Sequence, residues 1–136
     1  DSAGKEVLIM SPWIFNVEEI KRKLMELRSK KNVVVRMIVR TPRQIERYYT
    51  KHGSKSTQET CSDLSAANIE IKHNHDLHAK VLVVDDREAL IGSANLTDES
   101  LRKNIEAAIY TSDERMIKEI KKFFESVWDL SRKWED

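Results

Sequence analysis

An α/β sandwich, with a mixed central β-sheet flanked by helices, is the fold class that this sequence predicts. Two observations carry that expectation. Short apolar or β-branched runs alternate along the chain with longer segments whose apolar residues recur at helical spacing. Helix-start signals, a Ser, Thr or Asn followed three residues later by Glu or Gln, stand at the front of those longer segments. With 136 residues, 40% hydrophobic and 35% charged, the chain makes a single domain, 1–136, with a sizeable core and well-solvated outer faces.

Taken in order, residues 7–10 read as a strand closed by Ser11-Pro12. Asn16 with Glu19 opens a helix in which Val17, Ile20, Leu24 and Leu27 form one apolar stripe, ending near Lys30. Residues 33–39 make a β-branched strand interrupted only by Arg36. Thr41-Pro42-Arg43-Gln44 is a second helix start, with Pro at the first helical position and Gln at the capping-box place. A loop around His52-Gly53-Ser54 leads to a third such box at Ser56-Thr57-Gln58-Glu59 and a short helix through Leu64, and 68–72 reads as a strand. The strongest strand is 78–85, where Leu82 and Val84 share one face and Val81 and Val83 the other, so cover is expected on both sides. Strands at 89–93 and 104–110 follow. Thr111 with Glu114 is expected to cap the last helix, whose Met116, Ile117, Ile120, Phe123, Phe124, Val127 and Trp128 make a core stripe. Trp128 and Trp134 are alternatively candidates for a subunit contact.

Composition excludes several classes. The runs Val33-Val34-Val35 and Val81-Leu82-Val83-Val84 are far too short to span a bilayer, and no secretory signal pattern precedes them. Neither an amphipathic membrane helix nor a lipid-anchor motif is visible, so no stable membrane association is expected. Cys61, the single cysteine, permits no intrachain disulfide and suits a reducing cytoplasm, the expected location. A net charge of +1 from 24 basic and 23 acidic residues excludes a uniformly cationic nucleic-acid binder, so any anion site must come from local charge placement. The chain opens at Asp1 rather than Met, as expected of a fragment or a processed form.

The chemistry concentrates between Leu77 and Thr97. In a strand His78 and Lys80 point the same way, roughly 6–7 Å apart along the chain. Gly92 and Ser93 end the next apolar strand and Asn95 lies just beyond. If the two strands are neighbours, His78, Lys80, Ser93 and Asn95 converge on one rim. That set offers one group that attacks or protonates, several donors and no competing carboxylate, which suits a phosphate.

His78-x-Lys80, four residues, Asp85, then six residues to Gly92-Ser93-x-Asn95 resembles the signature of the phospholipase D superfamily at every signature position. The resemblance covers about the C-terminal half of the chain, and Glu106 is similar to a downstream acidic residue of that family. It implies a phospholipase D-like α/β sandwich with two such motifs per active site and no metal or other cofactor. One histidine attacks phosphorus to form a phosphohistidine, and the other protonates the leaving oxygen. On this resemblance His78 serves in both roles, Lys80 and Asn95 bind phosphate oxygens, Ser93 assists, and Asp85 has a supporting part that is more structural than chemical. A histidine with a pKa near 6.5 suits either role at neutral pH.

His52, His73 and His75 have no lysine two places on, so the chain holds half of such a site. The other half is expected from a second copy in a homodimer, or from a motif in a segment outside this sequence. His73, His75 and His78 could also suggest a metal site, but His78 is out of phase with the other two and no cysteine completes a shell. His73 and His75 instead read as rim residues near an anionic ligand or as solvent-facing. Arg40, Arg43, Arg47 and Lys51 step at helical spacing, with Lys55 behind and Tyr48 and Tyr49 beside them, which suits a nucleic-acid backbone and equally an ordinary solvated face. Asn95-Leu96-Thr97 forms a glycosylation sequon inside the signature, in a chain without a signal peptide.

Three functions follow as expectations. The first is a metal-independent endonuclease on DNA or RNA. The second is hydrolysis or head-group exchange on phospholipids. The third is a weakly active nucleic-acid-binding module of a larger protein.

Overall fold

Strand and helix alternate as the spacing predicts. The elements are β1 (Glu6–Met10), β2 (Ile14–Phe15), α1 (Glu18–Lys30), β3 (Val34–Val39), α2 (Thr57–Ala66), β4 (Glu70–His73), β5 (Val81–Val84), β6 (Glu88–Gly92), β7 (Leu96–Thr97), β8 (Ala108–Thr111), α3 (Glu114–Asp129) and β9 (Arg132–Lys133). The computed structural model describes residues 4–12, 14–15, 18–45, 57–93, 96–97 and 106–135. Asn16 and Ser56, read as helix caps, the loop at 52–54 and Asn104 lie outside the described residues.

Seven strands form one mixed sheet in the order β8-β6-β5-β1-β3-β4-β9. β1, β3 and β4 run parallel, while β5, β6, β8 and β9 pair antiparallel with their neighbours. A separate parallel pair joins β2 to β7. Strand alternation sends Val7, Ile9, Val35, Met37, Val39 and Ile71 to one face, where Leu24 and Leu27 of α1, Cys61 and Leu64 of α2, and Trp134 cover them. Leu8, Met10, Ile38, Val81, Val83 and Ala89 face the other way, against Ile117, Phe124 and Trp128 of α3. α1 carries Glu18 and Glu19 in its first turn and Arg28 and Lys30 in its last, each charge at the helix end whose dipole favours it. Arg36 fastens α3 to β3: it donates two 2.7 Å bonds to the Glu125 carboxylate, and its guanidinium lies 5.3 Å from the Phe124 ring centre and 5.2 Å from that of Trp128.

Five sequence expectations change. The strand read at 78–85 is hydrogen-bonded as strand only over Val81–Val84, and residues 77–80 lead into it. Its second face is covered only in part: Val81 and Val83 are buried on one face, and on the other Val84 packs against the α1–α2 side cluster but Leu82 is 36% exposed. Across the ladder Leu82 pairs with Leu90 and Leu90 with Tyr110, 41% and 58% exposed, so an apolar row lies open on three strands. α1 and α2 stop short of this part of the sheet; their cluster takes nothing from β6 or β8. The cap of α3 is Asp113, which accepts from the Met116 N–H at 3.0 Å, while Thr111 Oγ1 accepts from the Asp113 N–H. Finally, the α3 stripe is wider than the sheet can cover, so Met116 and Phe123 stand exposed beside buried Ile117, Phe124 and Trp128. Trp134 is buried against the α1–α2 side, so neither it nor Trp128 is offered to a subunit contact in this chain.

The β5–β6 turn closes the sheet onto its first strand. Asp85 and Asp86 both take positive φ, 53° and 58°, and the Arg87 N–H donates to the Val84 carbonyl at 3.0 Å, the tight turn that suits right-twisted hairpins. The Asp85 carboxylate accepts from the N–H groups of Gly4, Lys5 and Glu6 at 2.7, 2.8 and 2.8 Å. Burial alone would push this carboxyl up, but those three N–H bonds and the Arg87 guanidinium outweigh it and hold it below the ordinary carboxylate range. Asp85→Ala is expected to cost about 2 kcal/mol, seen as a lower denaturant midpoint. The depressed carboxyl stabilises the fold fully above its unfolded pKa and loses that effect as pH falls through the folded value. The stability gap between wild type and Asp85→Asn should therefore narrow on acidification from about pH 6 to about pH 3, and a gap constant over that range would rule out this role.

Candidate active site

The mixed topology brings one end of every central strand to a common rim. β1, β3 and β4 finish there, β5 begins there because it runs antiparallel to β1, and β6 returns to it. In open α/β sheets a ligand sits beyond the carboxyl ends of parallel strands. Arg40 follows β3, Asn74 and His75 follow β4, His78 and Lys80 precede β5, Ser93 follows β6, and Glu106 precedes β8.

Leu77 and Val81 are buried in the α3-side cluster, with Ala79 packed against it, so the alternate residues His78 and Lys80 stand on the opposite face. Lys80 Nζ lies 3.4 Å from His78 Nδ1 and 3.5 Å from Nε2, an ammonium resting over the ring edge. The Gly92 N–H donates to the Lys80 carbonyl at 3.2 Å, which sets Ser93 beside the pair. Gly92 has to be glycine: a Cβ there would meet the Ala107 carbonyl oxygen at 2.5 Å and the Ala108 Cβ at 2.8 Å. Through that close approach the Ser93 N–H donates to the Ala107 carbonyl at 3.0 Å and Ser93 Oγ accepts from the Ala107 N–H at 3.1 Å. Ser93 Oγ donates to Glu106 Oε2 at 2.5 Å. Ser93 is thus on the rim as expected, but its proton is directed to Glu106, and the two act as a unit. The Lys80 ammonium is held below the ordinary lysine value, first by partial burial and then by repulsion from Arg40, with Glu106 opposing.

The other candidates separate. Asp85, although a position of the signature, sits beyond the far end of β5, with the four residues of that strand, roughly 13 Å, between it and Lys80. Its carboxylate is taken up by the N–H groups of Gly4, Lys5 and Glu6 where β1 opens. Asn95, Arg47 and Lys51 lie outside the described residues, as do Tyr48, Tyr49 and Lys55. Arg43 is exposed on a helical turn at 42–45, but Arg40 precedes that turn and does not share its face. Its Nε donates instead to the Leu77 carbonyl at 2.8 Å, one residue before His78. His75 is exposed at the rim, 3.3 Å from Asp76 Oδ1. His73 is not a rim donor: its ring meets Trp134 edge-on at 6.2 Å, and burial, then Arg132, lower its pKa, with Glu135 opposing. Among the described residues no three His, Cys, Asp or Glu side chains converge as a metal shell requires.

Sequence reading missed the brace behind His78. Thr41 and Gln44 form the expected capping box, with the Thr41 N–H donating to Gln44 Oε1 at 3.1 Å and the Gln44 N–H to Thr41 Oγ1 at 3.3 Å. Gln44 Nε2 also donates to the His75 carbonyl at 3.1 Å, and the Asn74 N–H donates to the Val39 carbonyl at 2.9 Å. A box motif signals the cap but not this second use of the amide.

The family described as cardiolipin synthase, PLD-like domain, matches residues 1–128. Cardiolipin synthase 1 of Staphylococcus epidermidis is 27% identical over 131 residues, 96% of this chain and 26% of that protein. The mitochondrial cardiolipin hydrolase of Homo sapiens is 30% identical over 69 residues, 48% of this chain and 27% of that protein. The chain spans about a quarter of the length of each of these curated relatives. In fold it is similar to the phospholipase D family member Nuc from Salmonella typhimurium, with a TM-score of 0.82 at 19% identity, over 100% of this chain and 86% of Nuc. The phosphatidylserine synthase of Haemophilus influenzae has a TM-score of 0.74 at 15% identity, over 98% of this chain and 34% of that one. With the family match running through both halves of the sheet, and His78, Lys80 and Ser93 of the signature at its rim, the chain belongs to the phospholipase D-like domain family of the cardiolipin synthases.

Proposed function

We propose that this chain is one half of a metal-independent phosphodiesterase site, completed by the same rim of a second copy and acting on nucleic-acid strands. The observation that carries the reading is the placement of His78 and Lys80 on one face at the sheet rim, beside the Ser93–Glu106 pair. That face continues along β5 into the open row Leu82, Leu90 and Tyr110, so a second copy seated on the row would bring its own His78 towards the first. Phosphodiester chemistry then balances with two imidazoles. One His78 attacks phosphorus, forming an N–P bond as the P–O bond to the leaving group breaks, and the other gives that oxygen its proton. Water, deprotonated by the second imidazole, next displaces the first and restores both. Lys80 offsets the charge on the phosphoryl oxygens, while Glu106 holds Ser93 and keeps a carboxylate's negative charge turned into a hydrogen bond rather than towards the substrate.

Local cations support a nucleic-acid strand as substrate: Lys80, Arg40 and Arg43 lie at or next to the rim although the chain as a whole is nearly neutral. A phospholipid head group is the second reading, favoured by the family's description and by the names of its curated relatives. Against stable insertion, no helix of the described residues is long and apolar enough to cross a membrane.

Labelled single- and double-stranded DNA and RNA, and vesicles containing cardiolipin or phosphatidylglycerol, should be incubated with the protein in EDTA. Cleavage of a nucleic acid that His78→Ala lowers by at least about 10³-fold is the expected result. Turnover of lipid alone would select the second reading, and no turnover by a dimer would dismiss both. For the shared site, light scattering of wild type should give a dimer and Leu90→Arg a folded monomer without activity. An excess of His78→Ala should poison the wild type by forming mixed dimers. An active monomeric Leu90→Arg would refute a site shared through this row.

A further inference from the structure

Arg40, counted above only as a local cation, stands at a junction that gives it a second task. It leaves the end of β3 half-buried, with its N–H donating to the Pro12 carbonyl at 3.4 Å, so its backbone is tied to the segment after β1. Its Nε reaches the Leu77 carbonyl at 2.8 Å, across a gap of 37 residues in sequence. Leu77 itself is buried in the α3-side cluster, and its N–H donates to the Asn74 carbonyl at 3.3 Å. Asn74 Oδ1 accepts from the Asp76 N–H at 2.9 Å, and Asn74 Nδ2 donates to Ser131 Oγ at 3.2 Å. The stretch from Asn74 to Leu77 is therefore gripped on several sides, and Arg40 makes the last side-chain grip before His78.

Residues 78–80 need such a grip because they precede the ladder. Their tie to a neighbouring strand is the Gly92 N–H to the Lys80 carbonyl, with no paired β-bridge before Val81. A strand lead-in tied, among the described residues, at Lys80 alone would let the His78 backbone pivot, and a displacement of about 1 Å at a reacting group can cost on the order of 10²-fold in rate. The planar guanidinium suits this duty, since it holds a fixed fork of donors and keeps its charge at any working pH. We propose that Arg40 is a positioning residue for the His78–Lys80 pair: it anchors the Leu77 carbonyl to aim His78, and it adds its fixed positive charge beside Lys80 to the anion-binding rim.

This assignment rests on the rim being a phosphoryl site, and it goes beyond that in giving the rim a second, non-titrating cation. Among the described residues, three charged or titratable groups face Lys80: His78 from its own segment, Arg40 from the end of β3 and Glu106 from the approach to β8. Arg40 opposes the protonation of Lys80 and Glu106 favours it, so removing the Arg40 charge moves the loss of the Lys80 proton to higher pH.

Arg40→Lys keeps the charge but not the fork, and Arg40→Gln keeps a donor for the Leu77 carbonyl but not the charge. Two measurements on the full chain separate their effects. In the first, inorganic phosphate is titrated while the His78 imidazole is followed by NMR. In the second, hydrolysis of bis(4-nitrophenyl) phosphate is followed across pH. Arg40→Gln is expected to weaken phosphate binding about 10-fold and to move the alkaline limb of the rate profile upward. Arg40→Lys is expected to hold phosphate within about 3-fold of wild type and to lose about 10-fold to 100-fold in kcat at little change in KM. The proposal is overturned if wild-type His78 does not respond to phosphate, or if Arg40→Gln matches wild type in both phosphate affinity and pH profile. It is likewise overturned if both variants merely lower Tm while the folded fraction binds and turns over normally. A His78 response to phosphate that depends on Arg40, without hydrolysis of any diester, would uphold the Arg40 assignment and dismiss the enzymatic reading alone.

Discussion

Where β1 meets β5 the sheet changes from parallel to antiparallel, and the Asp85 carboxylate fastens the two strands at that place. Its three backbone partners are the N–H groups that open β1, and its own N–H returns the bond to the Glu6 carbonyl at 2.9 Å. The left-handed turn at Asp85 and Asp86 then sends β6 back to the rim. Without this reversal the lead-in to β5 would open on the opposite end of the sheet from β3 and β4, and His78 could not share a rim with Arg40. A short polar side chain suits the position twice over: it tolerates positive φ and its charge is matched by aimed donors. Asp85, at the other end of β5, thus helps to decide which rim His78 and Lys80 reach.

At the rim, the division of labour follows from what each strand end can offer. β5 presents His78 and Lys80 by alternation, while β6 and β8 approach so closely at Gly92 that Ser93 and Glu106 are locked together. The Ser93–Glu106 bond keeps a carboxylate within reach of Lys80 without leaving it bare towards an anion. The opposite strategy governs the rest of the face, where among the described residues no helix covers Leu82, Leu90 and Tyr110. On the function proposed above, this open apolar row is the surface that a second copy would cover in completing the site.

The chemical pair was legible because His78-x-Lys80 needs only the period of a strand and a spacing to Gly92-Ser93. The element order was legible too, from capping boxes and apolar periods. Failures came where two equally suitable groups compete or where the partner lies far along the chain. Thr111 and Asp113 are both good caps, and the backbone path chose Asp113, using Thr111 to hold it. Val81 to Val84 alternates as a strand covered on both faces would, and local sequence does not say that α1 and α2 end before reaching Leu82. His73 looked like a partner of His75 until Trp134, from the far end of the chain, took its ring edge. Arg40 was counted into a helical row, but the helix begins at residue 42 and the arginine turns to Leu77.

The seam also sets a timetable for the chain as it is made. Asp85 and Gly4 are 81 residues apart, so β1 waits for its antiparallel neighbour while that length of chain is made. At ribosomal speeds that interval is on the order of ten seconds. During it β1 and β3 can pair and collect α1, yet one edge of β1 stays an unpaired row of backbone donors and acceptors beside Leu8 and Met10. The nascent half-sheet is therefore most vulnerable to pairing with a neighbouring chain just before the hairpin that ends it arrives.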